Sequence, residues 1–147
     1  MEKIYYKGFR KDFVELVRTY IGTEFGHQKR MPGKKLDCAG VIVCASKTLG
    51  YEFDDLTNYS RTPSQEDILN KIFSSGFYEV SLSEAIPGDI LLMAYDGNIQ
   101  HIAVVTENNP LYILHAVTGK SVIEHILNEA WKSKIRRVFR IKEEGEE

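Results

Sequence analysis

The sequence has few cysteines, no long hydrophobic runs and no excess of charge of one sign. Two cysteines among 147 residues are too few for a disulfide framework and indicate synthesis in a reducing compartment. No stretch approaches the roughly 20 apolar residues of a membrane span, and the opening MEKIYYKGFRKDF lacks the apolar core of a signal peptide. A net charge of −2 gives no electrostatic reason to expect nucleic acid or an anionic membrane. These absences predict a chain made in the cytoplasm without a signal peptide, with no nucleic-acid or membrane partner.

The composition is that of an ordinary globular domain. Hydrophobic residues make up 43% of the chain and charged residues 27%. A chain of this length buries enough surface to fold without disulfides or metal ions, and it contains neither repeats nor a linker. We therefore expect one domain over residues 1–147, with a frayed and solvated tail at residues 141–147.

Apolar residues follow a helical period in the first half of the chain and a strand-like pattern in the second. Helices are predicted over residues 9–21, from Cys38 to near Gly50, and from Thr62 to about Gly76, with residues 23–36 as a loop. A Pro-Gly turn then precedes five short β-branched or aromatic segments: DILLMAY, HIAVVT, LYILHAV, SVIEHI and RRVFRI. Helices followed by an antiparallel β-meander predict an α+β fold.

Cys38 is predicted to be the first residue of the second helix, directly after Asp37. A helix N-terminus carries a partial positive charge and unpaired N–H groups, which lower a thiol pKa from its usual ~8.5. Cys38 is therefore a candidate nucleophile, although a small buried thiol would also fit this position. Cys44 lies inside the same helix among apolar residues, and we interpret it as a packing residue. The helical geometry disfavours a disulfide between the two.

Two histidines are candidates for the base that a nucleophilic thiol needs. His101 begins one predicted strand and His115 ends the next, and a hairpin centred on Asn108 would place them opposite each other. One imidazole could then act as the base while the second orients it. The alternative is that the two rings make unrelated surface contacts. Of the other histidines, His27 could line the same cleft, whereas His125 is predicted to be exposed.

The order of these motifs resembles the NlpC-type family of papain-like cysteine peptidases, which cut peptidoglycan stem peptides. The resemblance extends over roughly residues 13–140. It is carried, in chain order, by Gly22-Thr23, Asp37-Cys38-Ala39-Gly40, Gly88-Asp89 with the apolar strand after it, His101 at a strand start, and His115-Ala116. The stretch GTEFGHQ and the lack of wall-binding repeats are most similar to the phage-associated branch of the family.

The resemblance implies a papain-like fold, with the nucleophile at a helix N-terminus packed on the antiparallel sheet. It implies Cys38 as nucleophile, His101 as general base and His115 as the residue that orients the base, with no metal and no cofactor. The implied substrate is a peptidoglycan stem peptide, cut at its γ-D-glutamyl linkage. The implied partners are phage tail proteins or a similar delivery device, and the implied location is a virion or the cell wall.

Five residues are expected to contact the substrate, and two of them depart from the family pattern. Phe25 stands where the family usually has a tyrosine that lines the cysteine pocket, and Ala39 replaces the commoner serine. Either Gln28 or His27 could supply the missing hydrogen-bond donor. Asp37 could receive a substrate amino group, or it could simply cap the helix. Three further residues are cleft candidates for which core packing is the favoured role: Leu36, Tyr95 and Trp131.

Three other interpretations remain open from the sequence. The chain could be an amidase or acyltransferase of the same superfamily, although the order of cysteine before histidine favours the peptidase. Cys38, His101 and His115 could instead be three zinc ligands, but no CxxC or HxxxH spacing supports a metal site. Finally, the departure at Phe25 is compatible with a structural tail component that has little catalytic activity.

Overall fold

The computed structural model describes residues 4–51, 76–95 and 98–146. Its helices and strands, in chain order, are α1 (Phe9–Arg18), β1 (Glu24–Phe25), β2 (Arg30–Met31), β3 (Lys35–Leu36), α2 (Cys38–Thr48), β4 (Phe77–Val80), a 3-10 helix (Leu82–Glu84), β5 (Ile90–Tyr95), β6 (Asn98–Glu107), β7 (Tyr112–Ala116), β8 (Val122–Ile126), α3 (Glu129–Lys132) and β9 (Ile135–Ile141). None of the described helices has the length and apolar character needed to cross a membrane.

The first two predicted helices are present, and the third lies outside the described residues. Helix α1 ends at Arg18, three residues before the predicted end. The N–H groups of Thr19 and Tyr20 bond to carbonyls three residues back, which tightens the last turn, and Gly22 then reverses the chain at a φ of 93°. Helix α2 begins at Cys38, as predicted.

A six-stranded antiparallel sheet forms the second half of the fold. The strand order is β4-β9-β5-β6-β7-β8, so β5 to β8 form the predicted meander. Strand β9 returns across the sheet to pair with β5 on one side and β4 on the other. The α+β prediction is confirmed, and β4 is an additional strand that the sequence patterns did not reveal.

Strand β5 is apolar throughout because both faces of the sheet are covered. Ile90 and Leu92 belong to the main core, which lies between the sheet and helices α1 and α2. Leu91 and Met93 belong to a second cluster on the opposite face, against which Trp131 packs. All four β5 side chains are fully buried. A strand covered on both faces cannot show the apolar–polar alternation of a half-exposed strand, which explains the continuous run ILLM.

Residues 23–36, predicted as a loop, contain a small three-stranded sheet. Strand β3 pairs in parallel with β1 and antiparallel with β2. Each strand has only two residues, which is too short to leave a period-two pattern in the sequence. This small sheet leads directly into α2, so it positions the residues that precede Cys38.

The tail is docked rather than frayed as far as residue 146. Glu143 is 8% exposed and accepts a hydrogen bond from the backbone N–H of Arg10 in the first turn of α1. The Arg10 guanidinium lies 2.7 Å from a carboxylate oxygen of Glu146. The acidic composition suggested a solvated tail, but the positive N-terminus of α1 and a cation on it supply partners for two of its carboxylates.

Candidate active site

Helix α2 begins at the candidate nucleophile because Asp37 caps it. Asp37 has extended backbone geometry, and its Oδ1 accepts a hydrogen bond of 2.7 Å from the N–H of Gly40. This is the geometry of an N-cap, which satisfies one of the free N–H groups of the first turn. The predicted position of Cys38, at the first residue of a helix, is therefore confirmed.

The Asp37 carboxylate is already occupied by partners within the protein. It is 2% exposed, accepts the N–H of Gln28 at 2.9 Å and forms an ion pair of 2.7 Å with Arg30. A substrate amino group would have to displace these donors to reach it. The structure thus supports the capping role and not direct substrate binding, and it reveals Arg30 as a partner that the sequence patterns did not indicate.

Gly40 is required by the close approach of the preceding segment. A Cβ atom at this position would lie 2.6 Å from the carbonyl oxygen of Lys29, well inside contact distance. The glycine of the Asp-Cys-Ala-Gly motif thus allows residues 29–30 to pack directly on the first turn of α2. This contact holds the segment that carries Gln28 and Arg30 against the start of the helix.

The thiol of Cys38 lies against strand β6, beside the first candidate base. The N–H groups of Ile102 and Ala39 both act as donors to its sulfur. Ile102 directly follows His101, so the strand that carries the predicted base contacts the predicted nucleophile. The residue as a whole is half-buried, and burial has the largest effect on the pKa of its thiol.

The expected lowering of the Cys38 pKa is wrong for the resting site. Burial, and then the charge of Asp37, raise the pKa of the thiol to about 12, and they outweigh the two N–H donors and the charge of Arg30. The prediction considered the helix terminus alone, whereas the capping carboxylate and the loss of water act in the opposite direction. The resting sulfur is therefore a neutral thiol, which needs a base to become a nucleophile.

His101 and His115 form a buried, hydrogen-bonded pair. Their exposed fractions are 7% and 1%, and Nε2 of His101 lies 2.7 Å from Nδ1 of His115. Burial lowers the pKa of His101 to about 4. Burial, together with the charges of His101 and His125, lowers the pKa of His115 to about 3. Both rings are thus neutral at neutral pH, and each carries a hydrogen on only one of its two nitrogens.

The two histidines meet in a different register from the predicted one. The ladder pairs Val104 with Leu114 and Val105 with Ile113, and in this register His115 falls opposite Ala103 rather than His101. A shift of two residues leaves every side chain on its original face, because side chains alternate with a period of two. His101 and His115 are therefore diagonal neighbours, still within reach of one another.

His125 joins this pair, although the sequence predicted it to be exposed. Its Nε2 lies 2.8 Å from Nε2 of His115, and its Nδ1 lies 2.9 Å from the carbonyl oxygen of Ile126. Strand β8 pairs with β7 so that Ile123 lies opposite His115, which places His125 diagonally on the same face. The same diagonal relation connects His101 to His115, so hairpin spacing could have revealed His125 as well.

Trp131 of helix α3 covers the three imidazoles. Its ring meets that of His115 edge-on at a centroid distance of 4.6 Å, and it lies 6.0 and 5.8 Å from His101 and His125. The indole also packs against the second apolar cluster. The favoured core-packing role of Trp131 is therefore confirmed, and the packing includes the candidate catalytic histidines.

The other predicted substrate-binding residues surround the start of α2. Phe25 is half-buried against the main core and pairs with Leu36, two residues before Cys38. His27 and Ala39 are also half-buried. Leu36 is fully buried in the core, which confirms the packing role favoured from the sequence. The side chain of Tyr95 lies outside the described part of the chain.

The geometry does not match the zinc arrangement considered from the sequence. Within residues 4–51, 76–95 and 98–146, no group of three or more histidine, cysteine or acidic side chains could hold a metal ion. Both ring nitrogens of His115 already face other imidazoles. A ring in this position has no free nitrogen for a metal.

Burial of neutral histidines predicts that the protein loses stability at mildly acidic pH. The folded-state pKa of His101 is about 4, below the unfolded value of 6.5. Between these values the unfolded chain binds more protons, so the free energy of unfolding should fall by on the order of 3 kcal/mol for His101 alone as pH drops from 6.5 to 4. Thermal unfolding between pH 7 and pH 4 measures this slope, which His101→Gln should reduce. A midpoint that is constant down to pH 5 would contradict the buried, neutral pair.

Comparison with solved structures identifies the fold. A lipoprotein-like protein of the NLP/P60 family from Staphylococcus aureus matches with a TM-score of 0.67 and 17% identity, over 96% of this chain and 44% of that chain. The NlpC/p60 domain of the peptidoglycan hydrolase SagA matches with a TM-score of 0.64 and 21% identity, over 90% of this chain and 98% of that one. NlpC2 from Trichomonas vaginalis matches with a TM-score of 0.65 and 18% identity, over 90% of this chain and 46% of that chain.

These matches confirm the papain-like α+β fold. The chain corresponds to nearly the whole of the SagA domain but spans less than half the length of the other two proteins. No curated protein matches the sequence. The model of the NlpC/P60 family matches residues 22–140, which include Cys38 and all three histidines of the site. The chain therefore belongs to the NlpC/P60 family.

Proposed function

We propose that the chain is a cysteine peptidase that hydrolyses an amide bond in peptidoglycan stem peptides. The main support for this proposal is the contact between α2 and β6. There the Cys38 sulfur accepts a hydrogen bond from the N–H of Ile102, the residue after His101. Membership of the NlpC/P60 family supports it, as does the fold shared with the domain of a peptidoglycan hydrolase.

His101 is the general base in this reaction. Its Nε2 is engaged with His115, and we assign Nδ1 as the ring nitrogen that takes the thiol proton. A lone thiolate and a lone imidazolium are both disfavoured by burial, as the raised and lowered pKa values indicate. Proton transfer from Cys38 to His101 creates both charges together without changing the net charge of the site. We expect this transfer to accompany attack on the substrate carbonyl.

The remaining steps follow from the same two groups. The sulfur bonds to the carbonyl carbon, and the N–H of Cys38 at the helix start is a donor for the oxyanion. His101 returns its proton to the leaving amine, which leaves a thioester on Cys38. His101 then takes a proton from water, and the resulting hydroxide attacks the thioester to release the acid and regenerate the thiol.

The same proposal includes the bond that is cut and the route by which the protein reaches the cell wall. We place the cut at the γ-D-glutamyl linkage and propose that the protein reaches the cell wall in a virion or a similar delivery device, with phage tail proteins as partners. The resemblance of residues 22–28 to the phage-associated branch supports this role.

Digestion of purified muropeptides, read by mass spectrometry, tests the function. A peptidase releases fragments cut within the stem peptide, whereas an amidase that separates peptide from sugar gives intact stems. The matched control is Cys38→Ser, which keeps the size of the side chain but replaces the thiol. Intact muropeptides after prolonged incubation with the unmodified protein would refute the proposal and favour a structural role.

Restoring the tyrosine of the family pattern tests the departure at Phe25. Phe25→Tyr adds one hydroxyl to a half-buried ring on the strand beside Leu36. We expect kcat/KM for a γ-D-glutamyl stem peptide to stay the same or to rise, because the hydroxyl supplies a hydrogen-bond donor near the nucleophile. The thermal midpoint serves as the control for folding. A large decrease in kcat/KM at an unchanged midpoint would show that the cleft is shaped around phenylalanine.

A further inference from the structure

A short basic hairpin leads into the helix that carries Cys38. The basic hairpin is residues 29–35, KRMPGKK, which contain three lysines, one arginine and no acidic residue in a chain whose net charge is −2. It includes the turn between β2 and β3, which a backbone hydrogen bond of 2.9 Å closes. All three lysines are exposed: Lys29, Lys34 and Lys35. The hairpin therefore presents concentrated positive charge to solvent.

The lysines of the basic hairpin differ from several cations elsewhere in the chain, which form ion pairs with acidic side chains. Those paired cations include Arg10, Arg18, Arg137 and Arg140. Within the residues that the structure describes, none of the three lysines forms an ion pair, although Glu24 lies opposite Lys35 in the β1–β3 ladder. Lys29 and Lys35 are also neighbours, because carbons of both side chains lie within 3.0 Å of the position that a Cβ would have on Gly26. Like charges held this close repel each other, and an added anion would relieve that repulsion.

The backbone of the basic hairpin is fixed beside the candidate nucleophile. Residues 29–30 pack directly on the first turn of α2. At the turn, the N–H of Gly33 donates a hydrogen bond of 2.9 Å to the hydroxyl of Thr23, which is 4% exposed. Lys35 precedes Cys38 by three residues, so their Cα atoms are at most about 11 Å apart. A peptide of several residues held at the thiol is long enough to reach these cations.

The substrate of the proposed function carries the matching charge. A glutamyl residue that is linked through its γ-carboxyl group keeps its α-carboxyl group outside the peptide chain. Only the α, β and γ carbons separate that group from the carbonyl carbon that is attacked. A free α-carboxyl group is an anion at neutral pH, whereas an amidated one is neutral. Binding at Cys38 thus brings the carboxylate of a non-amidated stem peptide to the neighbourhood of the hairpin.

We propose that the basic hairpin is a specificity-determining surface, which binds the free α-carboxylate of the glutamyl residue and makes this chain prefer non-amidated stem peptides. This inference rests on the proposed peptidase function and adds the charge state of its substrate. An exposed ion pair strengthens binding by roughly 1.4–5-fold, so three lysines acting together give a preference of about 3–100-fold. Arg30 is not needed for this role, because its ion pair with Asp37 belongs to the cap of α2.

Two stem peptides that differ only at the α-carboxyl group, free in one and amidated in the other, test the preference. We expect kcat/KM of the unmodified protein to be about 3–100-fold higher for the free form. The difference should lie in KM, because the lysines bind a group that does not react. It should decrease from about 0.01 M to about 1 M salt, as the screening length falls from about 30 Å to about 3 Å. Equal values of kcat/KM, or a preference that salt does not change, would overturn the proposal.

Charge-matched variants assign the preference to the hairpin. The combined change of Lys29, Lys34 and Lys35 to glutamine should remove the preference and leave kcat for the amidated peptide unchanged. The control removes the same charge from three exposed lysines outside the hairpin and should keep the preference: Lys7→Gln, Lys11→Gln and Lys47→Gln. A hairpin variant that keeps the preference at an unchanged thermal midpoint would contradict the proposal. If that variant fails to fold, the salt dependence of the unmodified protein decides.

Binding separates failure of this inference from failure of the proposed function. If the unmodified protein cuts neither peptide, the peptidase function is refuted. Titration of Cys38→Ser with the two peptides still decides the hairpin, since tighter binding of the free form supports the proposal and equal binding overturns it. A hairpin variant that loses affinity for whole anionic cell walls, while the parent does not distinguish the two peptides, would show that the lysines recognise another polyanion.

Discussion

His101→Ala is expected to lower kcat for stem-peptide hydrolysis by about 10²–10⁴-fold, the usual contribution of a general acid–base group. The variant removes the imidazole of the residue that precedes Ile102, whose N–H donates to the Cys38 sulfur. The thiol would then have to lose its proton to solvent, which its raised pKa disfavours. Steady-state hydrolysis of a defined stem peptide measures the effect.

His115→Asn is the matched variant, and it should retain part of the activity. An asparagine side-chain oxygen can still accept the N–H of His101, so the base keeps its orientation although the buried ring is lost. In a zinc site, by contrast, each substitution would remove one ligand, and the two losses would be similar. We expect a chelator to leave the activity of the unmodified protein unchanged. Stoichiometric zinc combined with chelator-sensitive activity would overturn the cysteine-peptidase interpretation.

Alkylation of Cys38 by iodoacetamide at pH 7 is expected to depend almost entirely on His101. A thiol with a pKa of about 12 is only about one part in 10⁵ thiolate at pH 7, so it should react very slowly without a base. In the unmodified protein, transfer of the proton to His101 should make Cys38 the more reactive of the two cysteines. In His101→Ala, labelling of Cys38 should fall by more than 10²-fold and recover only at strongly alkaline pH.

Peptide mapping after timed labelling separates the two thiols within one sample. Cys44 is half-buried against the main core and serves as the internal control, since its labelling should be the same in the parent and in His101→Ala. Preferential labelling of Cys44 in the parent protein would contradict the assignment of Cys38 as nucleophile. Equal labelling of Cys38 with and without His101 would contradict the assignment of the base.

Local patterns were sufficient for helices α1 and α2, for strands β5 to β9 and for the positions of the candidate site residues on them. The helix start at Cys38 could be predicted because a cap, a first turn and an apolar run are all local in sequence. The strands that carry His101 and His115 could be predicted for the same reason. The predicted register was wrong by two residues, but His101 and His115 still lie on the same face of the sheet. Side chains alternate between the two faces, so only an odd error would have moved one of them to the opposite face.

The pKa values of the same residues could not be predicted from local sequence patterns. The sequence shows Asp37 next to Cys38, but the pKa of the thiol depends on how much water the fold excludes and on where Arg30 and the Ile102 N–H come to lie. These groups are brought together by contacts between α2, the small sheet and β6. Burial and the charge of Asp37 together raise the thiol pKa, whereas the helix terminus alone predicted a decrease.

The sequence by itself thus determined the α+β class and the family pattern, and it indicated Cys38, His101 and His115 as candidate site residues. Only the tertiary structure decided that the tail docks on α1, that residues 23–36 form a sheet, and that His125 extends the histidine pair. The tail contacts join residues far apart in the chain, the strands of the small sheet are too short to leave a pattern, and the position of His125 depends on the register of β7 and β8. The exposure of a histidine at a strand end depends on what packs against it, and here Trp131 packs against His125 and leaves it half-buried.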